Sequence, residues 1–337
     1  MNYAAIGPIA IHLPERVETN DELAALYPRW NMELIHSKTG IGQRHLAAPG
    51  ELPSDLGVMA AEKLFAEYSI DRESIDFLLF CTQTPDYLLP TTACLMQDRL
   101  KLRTGIGALD FNLGCSGFVY GLGLADGLIR AGAARRVLLI TAETYSRYIS
   151  PDDRSLRTIF GDGASATLVD SASEPSLGGF VFGTDGSAAD ALLMTEGGAR
   201  APEAALQPRK RQRWASPLYM DGPGLLGITM DILPKMVREV LAKAPLKREL
   251  VDFYLLHQAT KLLLESVRVQ LGATEEQVPV VLEHCGNTVS STIPIVIDQL
   301  RSEGKLRPGM NSLLVGFGVG FSWGGCAWRE TWTKSRS

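Results

Sequence analysis

A short apolar run, Leu109–Leu113, breaks at Gly114–Gly117 (GCSG) and resumes with apolar residues at helical spacing through Ile129, which predicts a strand, a tight turn and a buried helix. Related patterns recur along the chain. Ile75–Thr84 (IDFLLFCTQT) is echoed without a gap by Val251–Thr260 (VDFYLLHQAT). Gly114 and Cys115 align with Gly286 and Asn287, and at the same offset Asp126 meets Asp298, Leu128 meets Leu300 and Gly132 meets Gly304. Val137–Ile140 and Ser312–Val315 then follow as the next apolar strand of each half. Three matches in one order predict a duplicated unit.

Each half reads as strands alternating with helices, which predicts an α/β fold of two similar halves. The turn-rich stretch Asp170–Gly179 divides them into residues 1–174 and 175–337. Glu18–Leu23 has the acidic first turn of a helix start. Ser187–Pro217 is a long polar excursion; within it the basic run Arg209–Trp214 (RKRQRW) reads as a solvated loop, or as a contact for an acidic or phosphate-bearing partner. The glycine strings Gly161–Gly163 and Gly316–Gly320 lack the G-x-G-x-x-G spacing of a dinucleotide site.

Composition adds boundaries to this picture. At 337 residues and 45% hydrophobic content the chain can bury a sizeable core. A net charge of −5 and a pI near 5.6 argue against a protein built to bind nucleic acid. The five cysteines, Cys81, Cys94, Cys115, Cys285 and Cys326, are scattered and lack metal-ligand spacing, which predicts a reducing cytoplasm and no metal. The N-terminal residues carry no basic segment leading into an apolar run, and no stretch approaches the ~18 apolar residues of a membrane span, so a soluble protein with no membrane role is expected.

The candidate chemistry centres on Cys115. A helix start offers unpaired N–H groups and the positive end of the helix dipole, which favour a thiolate. Duplication carries the equivalent strand ends to His257 and Asn287, positions at which α/β folds build sites.

With these three residues the sequence resembles the β-ketoacyl-acyl-carrier-protein synthase III family of the thiolase superfamily. The similarity runs nearly end to end, through Ile6–Pro14, Lys38–Ile41 with Arg44, Cys115–Phe118, Ile159–Ala164, His257–Ala259, Gly286–Thr288 and Gly318–Gly324. The resemblance implies a thiolase-like five-layer αβαβα fold and a homodimer. It implies no permanently bound cofactor, with coenzyme A thioesters and acyl carrier protein as partners. An acyl group passes from acyl-CoA to Cys115, and a malonyl thioester on acyl carrier protein, or on coenzyme A, is then decarboxylated and condensed with it. The backbone of Cys115 and Gly320 is implied as the oxyanion hole, and His257 and Asn287 as N–H donors to the enolate. The Cys-His-Asn set departs from the sets of elongating ketosynthases, thiolases and hydroxymethylglutaryl-CoA synthases. Plant-type polyketide synthases share it, but usually with a different glycine loop.

The chain also departs from the synthase III pattern. Leu34 stands where a tryptophan commonly stacks on adenine, although Arg154 keeps the opposite side of that clamp. Lys38 replaces an arginine, Leu262 replaces another with Lys261 beside it, and Leu89 replaces an aromatic that caps the partner subunit's acyl pocket. These differences bear on the substrate, leaving fatty acid initiation or a specialised polyketide or alkylquinolone-like pathway open. Two further readings are an acyltransferase that uses Cys115 without forming a carbon–carbon bond, and a catalytically silent partner subunit, which would be expected to lack the nucleophile.

Overall fold

The computed structural model describes residues 2–199 and 216–333; the basic run Arg209–Trp214 lies outside the described residues. Strand β1 (Tyr3–His12) leads into a small ribbon, β2 (Arg16–Thr19) and β3 (Gln43–Leu46), that encloses helices α1 (Asn20–Leu26) and α2 (Met32–Thr39). The acidic start expected near Glu18 is realised at α1, where Thr19 and Glu22 form a reciprocal capping box. Then come α3 (Pro53–Tyr68), β4 (Phe77–Cys81), α4 (Thr92–Arg99), β5 (Gly107–Phe111), α5 (Gly117–Arg130), β6 (Arg136–Glu143), the short α6 (Arg154–Arg157) and β7 (Gly163–Ala172). The chain continues through β8 (Leu177–Thr184), β9 (Leu192–Met194), β10 (Leu218–Met220), α7 (Gly222–Lys243), β11 (Phe253–Leu256), α8 (Lys261–Leu271), α9 (Thr292–Ser302), β12 (Asn311–Gly318) and β13 (Ser322–Arg329).

Two mixed sheets carry the repeat. One has the order β1-β7-β6-β4-β5 and the other β8-β13-β12-β11, read from equivalent edges. In both, two antiparallel pairings are followed by a parallel one. The halves differ at the far edge. Among the described residues nothing pairs beyond β11, and the chain that β5 would match instead runs to Asn287, which bridges Phe160 of the first half.

Helices α5 and α9 lie between the sheets, α3 and α4 cover the first sheet, and α7 and α8 cover the second, giving the five αβαβα layers. The layering follows from apolar distribution. In α5, Phe118, Val119, Leu122, Ala125 and Ile129 are buried against both sheets, and in α9 the run Ile293–Ile297 is buried throughout, as a helix walled on two sides requires. Among the described residues no helix is long and apolar enough to cross a membrane.

Candidate active site

Cys115 lies in the turn between β5 and α5, where the Gly117 N–H donates to the Gly114 carbonyl at 2.8 Å. The second half closes over it. A side chain at Gly318 would come within 2.8 Å of Cys115 Sγ, and one at Gly316 within 2.7 Å of the Cys115 carbonyl oxygen, so only glycine lets β12 lie this close to the nucleophile. The adjoining hydroxyls of Ser116 and Ser322 tie the halves together at 2.6 Å.

The expectation that the helix start holds Cys115 as a thiolate is not met in the resting site. Burial pushes the thiol up to about 12, and the nearby Glu143 carboxyl adds to the rise. Two backbone amides oppose it, those of Cys115 and Val319. Val319 directly precedes Gly320, the residue expected to give the second oxyanion donor. The N–H turned onto the sulfur is that of Val319, the first residue beyond β12, whereas Gly320 adopts φ 134° where the chain turns back toward β13.

His257 follows directly on β11, where its N–H donates to the Val315 carbonyl of β12 at 2.8 Å. Its ring packs edge-on against Phe317. Burial lowers its pKa to about 3, so the imidazole is neutral. Nδ1 lies 2.7 Å from the Thr292 hydroxyl, whose own proton goes to the Val289 carbonyl at 3.2 Å. The hydroxyl oxygen therefore accepts Nδ1–H, which leaves Nε2 with a free lone pair.

Asn287 is anchored by its backbone. Its N–H donates to the Ile159 carbonyl at 2.9 Å, and its carbonyl accepts from the Gly161 N–H at 3.1 Å. The preceding Gly286 has φ 66°, and a Cβ there would sit 2.8 Å from the Ile159 oxygen, so this position requires glycine. The Asn287 side-chain oxygen accepts the Val289 N–H at 2.9 Å, leaving both N–H bonds of Nδ2 for other work.

Val289 joins the three residues, and sequence reasoning missed it. Its methyl group lies 3.1 Å from where a Gly114 Cβ would be, its N–H holds Asn287, and its carbonyl faces His257. It has φ 57°, unusual for a β-branched residue, and nothing in the sequence pattern marks it.

The expected substrate contacts divide. Lys38 and Arg154 line one cavity of about 750 Å³, whose inner residues Leu156, Ile159 and Leu218 belong to or pack on the apolar cluster around Cys115. Lys261 is elsewhere: its stem packs against Gly40, and it lines separate grooves and pairs with Glu265 at 3.7 Å. Leu89 is 82% exposed on the loop before α4 and meets no part of the Cys115 cluster within the protomer. Leu34 is half exposed, whereas Arg29 and Trp30, two residues the sequence reading passed over, line the cavity. Trp30 stacks on Tyr27 at 4.0 Å. The available signal was an arginine and an aromatic adjacent in the turn between α1 and α2.

Residues 109–186 match the family of 3-oxoacyl-[acyl-carrier-protein (ACP)] synthase III, and residues 241–330 match its C-terminal part. A solved 3-oxoacyl-(acyl-carrier-protein) synthase III is 47% identical over 97% of this chain and 100% of its own, with a TM-score of 0.92. A 3-oxoacyl-(acyl-carrier protein) synthase from Burkholderia xenovorans LB400 is 32% identical, covering 98% of this chain and 94% of its own, at a TM-score of 0.91. The priming β-ketosynthase of the R1128 polyketide biosynthetic pathway is 27% identical over 98% and 96%, at 0.86. Shared layers, near-complete coverage and identity at this level make the chain a member of the 3-oxoacyl-(acyl-carrier-protein) synthase III family, acyltransferases of the condensing type.

Proposed function

We propose that the protein transfers an acyl group from coenzyme A to Cys115 and condenses it with a malonyl thioester carried by acyl carrier protein or coenzyme A, releasing CO2 and a 3-oxoacyl thioester. The observation that carries this reading is the Val289 turn, which packs on the glycine before Cys115, holds Asn287 through its N–H and faces His257 with its carbonyl. In the loading step His257 Nε2 accepts the Cys115 proton as sulfur attacks the thioester carbon. The amides of Cys115 and Val319 receive the developing oxyanion, and the coenzyme A thiolate leaves with the proton from His257. In the second step the malonyl carboxylate leaves as CO2, and Asn287 Nδ2 donates to the enolate oxygen. The enolate carbon attacks the acyl-Cys115 carbonyl, expelling the sulfur, which takes a proton from solvent. The reaction requires no resident cofactor.

Incubation with a short acyl-CoA, then with malonyl carrier protein, tests the reading. An adduct on Cys115 followed by CO2 and a 3-oxoacyl product supports condensation. An adduct with no CO2 makes the protein a plain acyltransferase, and no adduct makes it a silent partner.

The cavity between Trp30 and Arg154 is the entry we propose for coenzyme A, with Trp30 taking the stacking role for which Leu34 is unsuited. Trp30→Ala is expected to raise the KM for acyl-CoA about tenfold, the scale of one lost stacking contact, with little change in kcat. An unchanged KM in steady-state assays would remove Trp30 from the entry.

We further propose a cytoplasmic homodimer. Among the described residues strand β5 pairs with β4 alone and its outer edge is open, and the neighbouring Tyr87, Leu88 and Leu89 are all more than half exposed. In such a dimer Leu89 reaches the partner's acyl pocket. Leu88→Asp is expected to yield monomers in light scattering, and an unaltered dimer would place the interface elsewhere. Fatty acid initiation and priming of a specialised product both fit this chemistry, and a 3-oxoacyl-(acyl-carrier-protein) synthase III and a polyketide priming β-ketosynthase both match the fold.

A further inference from the structure

The carboxyl of Glu143 ends β6 close to Cys115, and the chemistry above makes no use of it. It is fully buried. Its partners are neutral: the Gln83 N–H at 3.0 and 3.2 Å, the Thr84 and Ser290 hydroxyls at 3.2 Å, and the Thr82 hydroxyl at 3.5 Å. Among the described residues no cation pairs with it. Burial lifts the carboxyl to about 8 against the pull of these donors.

Proton counting around Ser290 gives each protonation state of Glu143 its own arrangement. The Ser290 hydroxyl faces both Glu143 and the Cys81 sulfur, and the Cys81 S–H donates to the Leu113 carbonyl at 2.8 Å. Ser290 has one proton to give. With Glu143 ionised, that proton goes to the carboxylate and the Cys81 sulfur is left with the Leu113 backbone alone. With Glu143 neutral, its O–H goes to Ser290, the Ser290 O–H to Cys81 and the Cys81 S–H to Leu113, so every donor in the chain has one acceptor. The chain ends two residues before Cys115. A second arm runs through Gln83, whose N–H is held by Glu143. The Gln83 side-chain oxygen lies 2.4 Å from where a Gly114 Cβ would be and accepts the Tyr145 hydroxyl.

We propose that Glu143 is a positioning residue for Cys115: as the neutral acid it heads the Glu143–Ser290–Cys81–Leu113 chain, and its ionisation suppresses formation of the Cys115 thiolate. The groups facing it are Cys81 at the end of β4, Cys115 ahead of α5 and Tyr145 after β6. All three ionise to anions, and a charged Glu143 opposes each. From the second half Ser290 is uncharged, and the nearby His257 is neutral.

The inference rests on Cys115 being the nucleophile, but its test needs no substrate. The rate at which iodoacetamide alkylates the Cys115 peptide is followed by mass spectrometry across pH in the full-length protein. The wild-type rate is expected to rise with pH and bend near pH 8 as Glu143 ionises. Glu143→Gln, which keeps a donor for Ser290 and an acceptor for Gln83, is expected to stay within about threefold of wild type near pH 7 and to exceed it about tenfold near pH 9.5, where the like charge is gone. Glu143→Ala, which breaks the chain, is expected to alkylate more slowly than Glu143→Gln at both. Superimposed wild-type and Gln profiles would overturn the proposal, as would a Gln variant as slow as the Ala variant near pH 7. Should the Gln variant not fold, a wild-type rate rising without a bend through pH 8 overturns it alone. A protein that alkylates as expected yet makes no 3-oxoacyl product would sink the condensation reading and leave this one standing.

Discussion

Cys115→Ala is expected to abolish acyl loading. The intact-protein mass shift produced by a short acyl-CoA should vanish, and product formation with it, because no other thiol has the same surroundings. Cys81, Cys285 and Cys326 are buried, their thiols pushed up by desolvation, and Cys94 is exposed and distant in sequence from the turn at Gly114. Cys115 alone combines two facing backbone amides with a wall of glycines that leaves room for a tetrahedral centre. Alanine at Cys94, Cys285 or Cys326 should leave the adduct in place. Acylation that persists in the Cys115 variant would overturn both enzyme readings.

His257→Ala and Asn287→Ala are expected to separate the two half-reactions. A thiol pushed up to about 12 is ionised in only about one molecule in 10⁵ near neutral pH, so loading depends on a base that takes the proton as sulfur attacks. His257 is neutral with Nε2 free, and its loss should slow loading by roughly two to four orders of magnitude. Asn287 has no proton to exchange near neutral pH. Its removal should leave loading within a few-fold and slow CO2 release by roughly two to three orders, the usual effect of losing one oxyanion donor. Quenched acylation set beside labelled CO2 release for both variants distinguishes these outcomes. If Asn287→Ala slows the two steps equally, the residue supports the whole site and the division of roles fails. The same argument fixes a pH dependence. Because burial lowers His257 to about 3, loading should show no loss on acidification through pH 6.5, where an ordinary histidine would acquire its proton. An inflection there would mean that water reaches the ring.

Much of the framework was legible along the chain because it is set by short-range patterns. Apolar residues at helical spacing after Gly117 specify a helix wherever it packs, and the echo between Ile75–Thr84 and Val251–Thr260 appears in the structure as β4 and β11, each parallel to its neighbour. Glycines at 114, 117 and 286 marked turns at which a side chain is presented, so Cys115 and Asn287 stood out from sequence alone. Other readings had to wait for contacts between distant segments. The local helix start argued for a thiolate at Cys115, but burial under β12, about 200 residues later, reverses the balance, because the cost of a buried charge exceeds what two amides return. That the Val319 amide meets the Cys115 sulfur depends on where β12 ends against the Cys115 turn, a matter of register that glycine spacing does not encode. Leu34 and Lys261 fall away from the cavity while Trp30 enters it, because the turn before α2 and the α2 face that carries Ile35, Lys38 and Thr39 line it, and Leu34 lies off that face. The chain by itself determined which elements form and which residues have reactive chemistry, since both depend on neighbours in sequence. Only the tertiary structure decided protonation, donor identity and access, since burial and hydrogen bonding at this site come from both halves at once.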